Sequence, residues 1–250
     1  MSGVLIIKPL PIAAVPTVTG TGAANLLTVD PNEAWIASGT GPRNIDVDMG
    51  SEVTVDSFYL GYTNADGAAL WRIDRATGPG TGLVTVKAAG PMRAADSEGP
   101  RHHCFARLAA PVVSRYFRLV VNHPGPASLY AGALVIGLAF EKHRERNGGR
   151  GLLDTGVRQD LPSGGFGIGD GVVKAQFSFS FIDLSAAELR RLWSINKDRG
   201  LRRPVVIVED ADLTAGLNEA IHYGTFDRFQ PYEGTDADET RWSCSHIEWA

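Results

Sequence analysis

Cysteine is almost absent from this 250-residue chain, which holds only Cys104 and Cys244. Two thiols so far apart give no disulfide framework, so stability must come from buried cores. Excess positive charge is also missing. With 24 basic and 28 acidic residues the formal charge is -4, which disfavours sequence-independent binding to nucleic acid or to an anionic membrane. There is no long apolar run either. At the N-terminus MSGVLIIKPLPIAAVP is interrupted by Lys8 and three prolines, so neither a membrane span nor a signal peptide is expected there. A Gly-x-Ser-x-Gly elbow is lacking, and no histidine stands beside an obvious nucleophile. What the chain does have is 29 glycines and 14 prolines among 44% hydrophobic residues. That composition belongs to a globular protein of many short elements joined by tight loops, and it leans toward β structure.

Periodicity divides the chain. Residues 1–22 read as an extended arm, in which Pro9, Pro11 and Pro16 favour polyproline or edge-strand geometry before Gly20 and Gly22. Residues 23–142 read as seven or eight short strands. Ile45, Val47 and Met49 alternate with Asp46 and Asp48, Asn64-Ala-Asp-Gly67 makes a turn, and no helical period intrudes. The basic, glycine-rich stretch 143–150 has no apolar anchor and reads as a linker. Residues 151–250 form a second unit of another kind. Phe177, Phe179 and Phe181 line one face of a strand, Ser185-Ala-Ala-Glu188 is a capping box flanked by the staple pair Leu184 and Leu189, and Gly200 ends the helix. Leu189, Leu192, Trp193 and Asn196 share its expected inner face. Three strands at 204–209, 220–229 and 240–249 complete the unit. The fold class is therefore mainly β: an N-terminal β-sandwich jelly roll, then a small α+β domain with one helix on an antiparallel sheet. Charge follows the same division, with 11 basic and 11 acidic residues in 1–142 but 10 and 16 in 151–250.

Candidate chemistry is sparse. His102 and Cys104 share a strand face, as do Cys244 and His246, but this is no known zinc spacing and the pairs fall in different units, so no metal is assigned. Asp30, Asn32 and Glu33 offer oxygens without a calcium-loop spacing. The glycines at 20–22 and 164–171 lack the remaining features of phosphate loops, and the second group reads as a hairpin tip or an adaptable interface loop. Asp46 and Asp48 read as a solvent face, and Glu233–Glu239 as an acidic hairpin loop. Trp35, Trp71 and Tyr62 would serve a sugar-stacking platform only if they were not core. No cofactor is expected and no catalytic residue is named. The residues at strand ends near turns that could meet a ligand are Arg43, Asn64, Trp71 and Arg72.

Several of these segments resemble the discoidin-like, galactose-binding-like jelly-roll family. They are Ala34-Trp-Ile-Ala-Ser38, Asn44-Ile-Asp-Val-Asp-Met-Gly-Ser51, Val55-Asp-Ser-Phe-Tyr-Leu-Gly61 and Ser114-Arg-Tyr-Phe-Arg-Leu119, spread over about residues 23–140. The whole order is similar to phage and prophage tail proteins in which such a jelly roll precedes a small α+β domain. Tyr130–Phe140, Phe177–Phe181, Pro204–Val208, Tyr223–Phe226 and Arg241–Trp249 carry that likeness. It implies a non-enzymatic structural component of a phage tail tip, of distal or minor tail type, located in the virion tail and made in the host cytoplasm. It would form a homo-oligomeric ring and contact other tail-tip and tail-tube proteins. The rival expectation is a carbohydrate-binding module contacting a host surface glycan. A cell-wall hydrolase would need two carboxylates facing across a groove.

Overall fold

The computed structural model describes residues 3–249 apart from 17, 40, 126, 127, 146, 147, 161, 214, 215, 230–232, 237 and 238. In chain order the strands are Gly3–Pro9 (β1), Trp35–Ser38 (β2), Pro42–Thr63 (β3), Leu70–Ala76 (β4), Val84–Pro91 (β5), His102–Asn122 (β6), Ser128–Ala131 (β7) and Ala133–His143 (β8). They continue with Gly149–Asp154 (β9), Val157–Asp160 (β10), Phe166–Gly169 (β11) and Val173–Phe181 (β12). The helix Ala186–Arg199 (α1) follows, then Val205–Val208 (β13), Ile221–Phe229 (β14), Glu233–Asp236 (β15) and Glu239–Glu248 (β16). The chain is thus mainly β with one α-helix among the described residues, as the sequence pattern indicates.

The jelly-roll lobe is built on the antiparallel order β5-β4-β6-β3-β8, covered by the short sheet β2-β7 and by the 14–21 segment, which bridges to Asp48, Ile45 and Ile36. Its core holds Trp35, Trp71, Phe58, Phe117 and the alternating Ile45 and Val47. On the same strand Asp46 is only 2% exposed. It is not on a solvent face, because Arg118, directly opposite on β6, donates to its two oxygens from Nε and Nη2 at 2.5 and 2.7 Å.

The N-terminal segment departs from the extended-arm expectation. Val4, Leu5, Ile6 and Ile7 are each 0% exposed. They form a strand paired to β8 on one side and β13 on the other. Four consecutive apolar residues suit a strand buried on both faces; the prolines that suggested an arm begin only at its end.

Strand β8 belongs to both lobes. Its first half pairs with β3 and its second half with β1. Arg144 then bridges to Phe181, and the Glu145 N–H donates to the Ser180 carbonyl at 2.8 Å. Strands β8, β1, β13, β14, β16 and β12 therefore run round a closed path, and closure removes the edges that such a sheet would expose. Against it lies α1, whose Ser185–Glu188 capping box forms in both directions and whose Gly200 cap has φ 57°. Leu192, Ile195 and Asn196 face inward, whereas Trp193, expected on that face, is 57% exposed.

A third cluster (Leu5, Ile7, Tyr59, Phe105, Val206, Tyr223 and neighbours) joins strands of both lobes in one buried seam. The basic stretch contributes ion pairs to Glu209, from Arg144 at 3.8 Å and Arg150 at 2.7 Å, and Lys142 at the end of β8 meets Glu188 at 3.1 Å.

Candidate functional site

The four ligand candidates from the sequence do not converge on a surface. Arg43 is 1% exposed and donates to the carbonyls of His123, at 3.1 Å, and Gly39. Trp71 is fully buried in the jelly-roll core. Asn64 clips the chain to β7, donating to Ser128 O and accepting from the Tyr130 N–H. Arg72 is half-buried and paired with Asp74 at 2.9 Å. Their observed contacts are internal, because strand ends near turns in a sandwich are also where turns are tied down. The metal-capable pairs are apart as well: Cys104 sits in the jelly-roll core and Cys244 in the barrel core. Among the described residues no three His, Cys, Asp or Glu side chains are grouped to hold an ion. Asn32, counted among possible calcium oxygens, donates to Asp30 and accepts from Arg101. Side chains of the acidic run 233–239 lie outside the described residues.

Two features were not singled out from sequence. The first is a cleft of about 330 Å³ where the lobes meet, lined by Tyr62, Arg101, His103, Asn218, Glu219 and Glu248. Tyr62 closes β3 with φ 54°, a left-handed conformation rare for a bulky residue. His103 Nδ1 lies 2.8 Å from the Tyr59 hydroxyl and its Nε2 lies 3.5 Å from Glu248. Burial raises Tyr59 far above the ordinary phenol range, so it stays protonated and can donate to that imidazole. Only the meeting of β3, β6 and β16 assembles this set, and no spacing along the chain announces it.

The second is a projecting arm. Strands β9 and β12 leave the barrel as a hairpin, Thr155 and Val172 continue it by mutual hydrogen bonds, and β10 pairs with β11 to its tip. Its free part is roughly 30 Å long at about 3.4 Å per residue. Every residue of β9, β10 and β11 except Gly167 is exposed. That exposure includes apolar side chains: Leu152 at 76%, Val157 at 66%, Phe166 at 55%, Ile168 at 80%, Val172 at 52% and Val173 at 55%. Phe166 and Ile168 share one face with Arg158, whose guanidinium lies 4.3 Å from the Phe166 ring. At the arm's base Glu209 accepts from Arg150, approaches Arg144 at 3.8 Å and lies 2.7 Å from His222 Nε2. Burial opposes its ionisation, but those cationic and hydrogen-bonding partners win and hold its pKa below the ordinary carboxylate value.

No family model matches the chain, and no curated protein matches it. Solved structures resemble about half of it. Chitosan-binding module 1 of a chitosanase/glucanase from Paenibacillus sp. IK-5 is 19% identical, with a TM-score of 0.39, covering 52% of this chain and 97% of the module. Module 2 of that enzyme, in complex with chitotriose, is 14% identical at a TM-score of 0.37, covering 52% of this chain and 97% of the module. CpGH89CBM32-5 from Clostridium perfringens, in complex with GalNAc-β-1,3-galactose, is 13% identical at 0.42, covering 52% and 99%.

Proposed function

We propose that this chain is a non-enzymatic structural subunit that assembles with copies of itself, as the ring-forming component of a phage tail tip. The observation behind self-assembly is the arm. A two-stranded hairpin with no third strand or covering helix is marginal in water, and six large apolar side chains on it stand half or more exposed. Single exposed leucines need no explanation, but six large apolar side chains on one projecting hairpin mark an interaction surface. Burying it would release on the order of 10 kcal/mol before the costs of association. The tail-tip setting comes from the resemblance of the two-unit order to tail proteins, and neighbouring tail-tube and tail-tip proteins would be further partners. Sedimentation of the purified full chain tests the reading. Concentration-dependent assembly into a closed oligomer is expected; a strictly monomeric species at high concentration, together with absence from purified tails, would end it.

A second reading, recognition of a host surface glycan by the jelly-roll lobe, has the cleft behind it. Tyr62 with Arg101, Glu219 and Glu248 combines an aromatic side chain with donors and acceptors of the kind a sugar needs. Glycan-array binding that is lost in Glu248→Gln would support it. Binding to no host-surface polysaccharide would remove it.

A further inference from the structure

A second unpartnered apolar surface lies on the same chain, away from the arm. The end of β1, the 26–29 turn, β8 and the end of α1 enclose a groove of about 330 Å³ that includes Pro11, Leu27, Val29 and Leu134. Leu27 and Val29 are 44% and 47% exposed. One wall carries an excess of cations: Arg199 and Arg203 line the groove and share Asp198 at 2.9 and 3.7 Å, and Lys197 and Arg202 lie in the adjoining hollow. Arg203 is 65% exposed. This surface suits a segment that is apolar and acidic together. The free part of the arm, 152–173, has that chemistry: between its apolar residues stand Asp154, Asp160 and Asp170 against a single cation, Arg158.

We infer that the arm of one copy seats in this groove of the next, with Phe166 and Ile168 against Leu27 and Val29 and the arm's aspartates toward the α1 C-terminus. The inference rests on the self-assembly reading and adds the receiving surface. Because arm and groove are different surfaces, the contact is heterologous, and repeating it generates a ring if the rotation closes and a filament if it does not. An isologous alternative, arm against arm, would instead bring equal acidic charge together.

The test uses the full chain in three parts. Replacing 156–171 by a short turn should give a monomer. Leu27→Asp combined with Val29→Asp, both on an already exposed turn, should weaken self-association on the order of 100-fold, with unchanged circular dichroism showing that the lobes remain folded. Mixing chains carrying Ile168→Cys with chains carrying Leu27→Cys should produce a disulfide between different chains. The native Cys104 and Cys244 are buried, so the introduced thiols are the reactive ones. If arm replacement gives a monomer while the groove variant assembles like the unaltered chain, or cross-links form mainly between two Ile168→Cys chains, the groove assignment is overturned and self-assembly stands. Assembly that survives arm replacement removes the arm reading itself.

Discussion

At the residue scale, charged and polar side chains in this molecule act mainly as ties. Asp46 is nearly buried and depends on the fork of Arg118. Removing that fork by Arg118→Ala leaves a buried carboxylate without its partner, so urea unfolding should show a loss of about 3–5 kcal/mol. Arg107→Ala, which removes the partner of the 41% exposed Glu141 side chain, should cost much less and serves as the control. His246 behaves in the opposite sense. Burial, followed by repulsion from His222, pushes its pKa down to about 3. In the unfolded chain the imidazole would titrate near its ordinary value of about 6.5. The unfolded state therefore binds the extra proton between those limits. Stability is fully present above pH 6.5 and falls as the pH drops toward 3, by about 1.4 kcal/mol per pH unit. His102 and His123, also lowered by burial, act in the same direction. His246→Phe should flatten the dependence by about one proton, read from denaturant midpoints between pH 4 and 7; an unchanged slope would contradict the assignment.

At the element scale, the helix and the arm make opposite demands on their surroundings. Helix α1 carries its own start signal, and the Glu188 that completes the capping box also receives Lys142 from β8. Ser185→Ala should lower thermal stability by about 1 kcal/mol. The arm contributes little to the monomer. Ile168→Asp at an 80% exposed position should change folding stability by less than about 0.5 kcal/mol while diminishing association, a separation that paired melting and sedimentation runs would reveal. Elements set by neighbouring residues were legible in the sequence: the alternation 45–49, the aromatic face of β12, and the helix from Ser185 to Gly200. The glycine-rich stretch 164–171, read as a hairpin tip or an interface loop, was only partly so: Gly164 and Gly165 lie in the turn, while Phe166–Gly169 form strand β11. Strand β1 was not, because Val4-Leu-Ile-Ile7 has no alternation and its two partners lie about 130 and 200 residues away in the chain. Trp193 looked like core because helical spacing places it near Leu189 and Leu192, and only the position of the sheet decides which edge of that stripe stays in water. The inter-lobe cleft was illegible for the same reason, since Tyr62, His103, Asn218 and Glu248 meet only through long-range pairing.

At the scale of the whole molecule, the two lobes are one body. The shared strand β8, the central β1 and the seam of Leu5, Tyr59, Val206 and Tyr223 replace the free hinge that composition suggested. A molecule with one projecting apolar arm and one cationic apolar groove has the parts a repeating assembly needs. Carbohydrate recognition would use a different region, the cleft beside Tyr62, so the two activities are separable by mutation. The most direct measurement is sedimentation of the full chain beside the chain with 156–171 replaced by a short turn, each across a wide concentration range. A discrete oligomer is expected for the first and a folded monomer for the second. A monomer in both, or the same oligomer in both, would contradict it.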